Sequence, residues 1–127
     1  MSRAAFSSRV FATYLFVVGA ALVFVPNVLL SVFGIPGTCE VWIRVIGVLA
    51  VNIGVYAWVA AEDRRFLAAS VYTRCVFFAA VTAFVLAGLA SPMIVLFGVL
   101  DLLGALWTGV AMRADLRLAR LAAENRP

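Results

Sequence analysis

Five polar side chains stand inside stretches that otherwise read as hydrocarbon: Arg44, Asn52, Arg74, Thr82 and Asp101. Two cations, a carboxylate, an amide and a hydroxyl form a set that can hold a ligand head group or relay a proton. Ionisable groups in apolar spans face a bundle interior and take partners there. Asp101 is the centre of the set. It sits in FGVLDLLGALWT, residues 97–108, where inserting a carboxylate into a bilayer costs about 3 kcal/mol. The same residues also admit a plainer reading. Arg44 would pair with Glu40 one turn earlier and snorkel outward, Arg74 would anchor at an interface, and Asp101 would hydrogen-bond across a helix contact for about 0.6 kcal/mol.

Other chemistry is poorly supplied. Histidine is absent, which removes the commonest metal ligand and the usual general base near neutral pH. No carboxylates are paired for acid–base work, so the sequence points to no catalytic residue, no metal and no cofactor. All ten basic residues are arginine and the net charge is +4. They fall in a few clusters, without the basic, aromatic-studded surface that a nucleic-acid partner needs.

The elements that must position the five residues follow from composition. Of 127 residues, 66% are hydrophobic and 13% charged, against about a quarter charged in soluble domains, and the mean hydropathy is +1.14. The expected fold is all-α, an antiparallel four-helix transmembrane bundle in a single domain covering residues 1–127. Its spans are residues 10–33, 41–61, 66–90 and 93–112. The first is an uncleaved helix kinked at Pro26, where proline lacks a backbone donor and clashes with the preceding turn. GIPGTCE, residues 34–40, is a turn. The second span, with Trp42 and Trp58 near its ends, covers about 30 Å and suits a hydrocarbon core. The third carries Arg74 at its inner interface, Ser91-Pro92 makes the next turn, and residues 113–127 form a charged tail, helical at first.

Arg3, Arg9, Arg64, Arg65, Arg113, Arg117, Arg120 and Arg126 fall on one side of these spans, and the two opposite loops have no arginine. The positive-inside rule then places both termini in the cytoplasm and the protein in the cell membrane. Cys39 and Cys75 lie at different membrane depths, beyond the roughly 7 Å Cα limit for a disulfide, and are expected to be free thiols. Gly47 and Gly54, and Gly98, Ala105 and Gly109, form small-residue faces that let helices approach.

Counted from the outer ends, Arg44 lies about 5 Å deep, Asp101 about 14 Å and Asn52 about 17 Å. Asp101 comes level with Thr82 if the hairpin turns at Ser91-Pro92. Arg44 is then the expected ion partner of Asp101, with Arg74 the alternative from below.

The series LLSVFGIPG, VWIRVIGVLAVNIGVY, an arginine opening the third helix, and LFGVLDLLGALWT resembles the small four-helix bacterial membrane proteins grouped as DoxX-like. That resemblance implies a membrane bundle that accompanies an oxidoreductase passing electrons to quinone, and it carries over no catalytic residue. The leading functional expectation is a non-enzymatic membrane component with an intramembrane polar site for a lipophilic molecule, a quinone or a lipid. Its partners are the lipid bilayer and a second copy or an oxidoreductase. The alternative is a minimal oligomeric transporter, although exporters of this size keep their essential acid in the first helix and this one has none there.

The topology is open to direct test. Reporter fusions at Glu124 and in the loop of residues 34–40 are expected to give opposite signals, and matching signals would contradict four crossings.

Overall fold

The structure, a computed structural model, describes residues 1–124. Arg126 and the last part of the expected tail lie outside the described residues. Among these the chain is all-helical: α1 (Arg3–Phe24), α2 (Pro26–Val32), α3 (Trp42–Val59), α4 (Arg64–Leu86), a 3-10 turn (Pro92–Ile94) and α5 (Val95–Glu124). Four of the helices are long and apolar enough to cross a membrane, so the chain has the build of a multi-pass membrane protein.

Helix ends depart from the expected boundaries in informative ways. The first span is two helices and not one kinked helix. Val25 leaves helical geometry at φ −135°, ψ 51°, and Pro26 starts α2 at the first helical position, where its missing N–H is no loss. At the other end, α1 begins at Arg3, well before residue 10, because its first N–H groups are capped. Ser2 Oγ accepts from Ala5 N at 3.0 Å, while the Asp115 carboxylate accepts from Arg3 N at 3.3 Å and Ala4 N at 3.0 Å. Asp63 caps α4 in the same manner, accepting from Arg65 N at 2.7 Å. Nothing stops α5 at residue 112. It runs unbroken to Glu124, so the expected charged tail continues the fourth apolar helix as far as the described residues go.

Both α2 and α4 end on the same device. Gly34 (φ 63°) and Gly88 (φ 72°) take the left-handed conformation. Ile35 N donates to Leu30 O and Gly34 N to Ser31 O, while Leu89 N donates to Phe84 O and Gly88 N to Val85 O. These paired bonds are Schellman caps, which need a residue free of Cβ strain. The expected turn at Ser91-Pro92 therefore starts earlier, at Gly88, and α4 stops at Leu86 instead of residue 90. Asn27 Oδ1 accepts from Thr38 N at 2.8 Å and folds the loop after α2 back over it. The rings of Phe33 and Phe97, 4.4 Å apart, join the end of α2 to the start of α5.

α1 is the common neighbour. It packs on α3 and on α5, and α5 packs on α4. The α1–α3 contact is backbone to backbone: a Cβ on Gly47 would lie 2.7 Å from Gly19 O, and one on Gly19 the same distance from Gly47 O. Further along, Gly54 receives Phe16, and Ser8 Oγ donates to Ala57 O at 2.9 Å. Contacts thus climb α1 as they descend α3. Small residues of this kind are what allow helices to associate in lipid, where apolar burial gives no preference for protein over acyl chains. Among the glycines within helices Gly109 is the exception, with nothing near its would-be Cβ.

Gly47→Val is therefore expected to force α1 off α3 and to cost about 1–3 kcal/mol through overpacking. Gly109→Ala should be neutral or stabilise by up to ~1 kcal/mol. Thermal unfolding of both variants in detergent measures the difference.

Candidate functional site

Arg74 is the most deeply buried charged residue among those described, 5% exposed and ten residues after α4 begins at Arg64. Its surroundings are apolar on two sides. The guanidinium carbon lies 3.6 Å from the ring centroid of Phe11 on α1, and the terminal nitrogens fill the notch at Gly104 on α5, where a Cβ would collide with them. A desolvated cation over an aromatic face is worth about 2 kcal/mol, less than the several kcal/mol that burying the charge costs. Its Nε is buried without a hydrogen-bond partner.

An opposite charge stands on the preceding turn of α5. Asp101, three residues before Gly104 and half-buried, and Tyr14, one turn beyond Phe11 on α1, both lie within electrostatic reach of Arg74. On the other side of Gly104, Thr108 Oγ1 donates to Gly104 O at 2.9 Å and accepts from Ser7 Oγ at 3.1 Å. Three helices thus converge on a polar seam inside an apolar assembly: Ser7, Phe11 and Tyr14 from α1, Arg74 from α4, and Asp101, Gly104 and Thr108 from α5.

The five residues singled out in the sequence do not form one cluster. Arg74 and Asp101 are brought together. Arg44 is exposed on α3 and its NH1 donates to Val23 O on α1, so the expected Arg44–Asp101 pairing does not form, and Asp101 lies instead within electrostatic reach of Arg74, without a direct salt bridge. Thr82 is not level with Asp101. Its hydroxyl donates to Phe78 O within α4 at 2.8 Å. Asn52 is exposed on α3, apart from the others.

One shift explains the first two corrections. With α4 ending at Leu86 and the turn at Gly88, Phe78 faces Gly98 and Arg74 faces Gly104, which brackets Asp101 between them. A turn at Ser91-Pro92 would have set Asp101 several residues higher on α4, opposite Thr82. Cys39 is exposed in the loop after α2, Cys75 is half-buried on α4, and both are free thiols.

Phe11, Tyr14 and Gly104 are site residues that the sequence reading missed. Their signals were modest: an aromatic pair three apart on α1, a glycine one turn after the lone acid of the apolar spans, and the helix-ending Ala87-Gly88 that fixes the register.

Arg74 offers N–H donors to an oxygen acceptor, Asp101 offers acceptors, and Tyr14 can do either. Such a set has the donors and acceptors to bond a neutral or anionic oxygen-rich group. Two shallow surface grooves, one between Phe6 and Trp107 and one between Phe16 and Trp58, do not include these residues. Comparison with protein-family models, with curated proteins and with solved structures gives no significant match, so the site is read from its own geometry.

A double-mutant cycle tests the neighbour relation. Asp101→Ala alone should cost about 3 kcal/mol by leaving the buried cation unmatched. Combined with Arg74→Ala it should recover part of that loss, a coupling of about 0.5–3 kcal/mol. Asp101→Ala combined with Arg44→Ala should be additive in thermal stability measured in detergent.

Proposed function

We propose that this chain is an antiparallel four-helix transmembrane bundle of the cytoplasmic membrane, with both termini in the cytoplasm. Its working centre is the Arg74–Asp101–Tyr14 cluster, which binds the oxygen-bearing head of a lipophilic molecule, a quinone or a lipid. It is a non-enzymatic component and contributes binding and orientation, not bond making.

The observation that carries this reading is Arg74 itself, 5% exposed with its Nε unpartnered. A buried guanidinium left with unused donors is costly for structure alone, and a ligand carbonyl or phosphate oxygen at that nitrogen offsets the cost. Intramembrane ionisable groups mark substrate and ligand pathways for the same reason. The cluster opens into neither surface groove, so in this reading the head group enters by displacing the Phe11 ring from the guanidinium. The likeness to DoxX-like proteins adds a partner, a membrane oxidoreductase that delivers electrons to quinone.

Native mass spectrometry of the chain released gently from membranes is expected to show a retained quinone or lipid. Arg74→Gln, which keeps a polar group at about the level of Nε but removes the charge and the terminal nitrogens, should lose it while helix content by circular dichroism is unchanged. An empty wild-type chain, or equal retention by Arg74→Gln, would rule the site out.

A further inference from the structure

The exposed Asn52 fits neither the packed interior nor the polar seam. α3 buries Gly47, Gly54 and Ala57, and at 3.6 residues per turn Asn52 stands roughly 140–160° around the helix from each of them. It therefore points directly away from α1, from the middle of a span that is to lie in hydrocarbon. An amide there has no water to bond, and leaving it unpaired in an apolar medium is unfavourable.

Its neighbours on that face are not random. Val41, Val45, Val48, Val55 and Val59 are all exposed and, with Asn52, follow one another at alternating steps of four and three residues. That spacing is the seam of a coiled coil, with β-branched side chains as knobs and a single asparagine in one layer, the residue that sets register in such seams.

From these observations we infer that the outer face of α3 is a homodimer interface, in which Val45, Val48, Val55 and Val59 of two copies interdigitate and Asn52 pairs with Asn52. The amide identifies the occupant. Two copies inserted with one topology are related by a twofold axis along the membrane normal, so their α3 helices run parallel and residue 52 meets residue 52 at one depth. A carboxamide carries both donor and acceptor, so two identical groups satisfy each other. Lipid tails cannot do this, and an unrelated helix would need a polar group at that same depth. The dimer rests on the membrane placement proposed above and is independent of the Arg74 site.

The test uses the purified full chain with Cys39→Ser and Cys75→Ser, reconstituted into phosphatidylcholine vesicles. Single cysteines are then placed on the seam (Val48→Cys, Val55→Cys) or off it at Ile46→Cys and Ile53→Cys, which are exposed and roughly 100–120° around the helix from Asn52. Oxidation is expected to give disulfide-linked dimers several-fold more readily on the seam than off it. Asn52→Leu should weaken self-association about tenfold, measured by energy transfer on lipid dilution, equivalent to ~1.4 kcal/mol and in the range of amide pairs in model membrane helices. Asn52→Gln should retain most of it. Equal crosslinking at both sets, a monomer at all lipid ratios, or an Asn52→Leu chain that associates as tightly as the wild type would each overturn the interface. Retention of quinone or lipid through Arg74 is read separately and does not bear on it.

Discussion

A guanidinium enclosed by three apolar helices is the constraint that the rest of the structure has to meet. Arg74 cannot leave for water without unpacking α4 from α5, and it cannot stay without a flat surface to lie on and a counter-charge in reach. Phe11 provides the surface, Gly104 removes the Cβ that would block the seat, and Asp101 provides the charge. Each comes from a different place in the chain. The register of α5 on α4 must therefore be right to within about one turn, roughly 5 Å, and the glycine that ends α4 supplies that register.

α1 joins the two halves, and it does so with small groups. Toward α3 it presents Gly19, Ala12 and Ser8, so backbones touch and a hydroxyl reaches a carbonyl across the gap. Toward α5 it presents Ala4 and Ser7, and the Ser7–Thr108–Gly104 chain continues the polar seam to the foot of Arg74. In a soluble protein, packing large apolar side chains would drive this association. In lipid the same end is reached by close approach and a few bonds across the contact, which fits the many exposed valines, leucines and phenylalanines along the outer surface.

Composition and hydropathy made the helices legible: four long apolar runs, the break at Pro26 and the glycine-rich loop after it all appear in the structure. What misled was helix-end chemistry. Ser91-Pro92 looks like a turn by residue type, yet the backbone reverses earlier, because Gly88 can adopt a positive φ and close a Schellman cap that Ser91 cannot. That displacement moved Asp101 from Thr82 to the neighbourhood of Arg74. The start of α1 was harder to place: Ser2 is a local cap that the sequence offers, but the second cap, Asp115, is remote in sequence. The polar residues were chosen by type, and type does not say which face of a helix a residue occupies. Arg44 and Asn52 on α3 point away from the seam that Arg74 and Asp101 share.

The bond between Asp115 and the first turn of α1 bears on how the molecule is made. In a chain synthesised from its N-terminus the backbone donors of Arg3 and Ala4 emerge long before the carboxylate that closes them, which lies 111 residues beyond Ala4, after all four long apolar runs. Until then Ser2, which accepts from Ala5 N, is the cap that the turn finds in its own neighbourhood. Closing those two donors therefore waits on α5, so the fourth long helix completes the cap on the first.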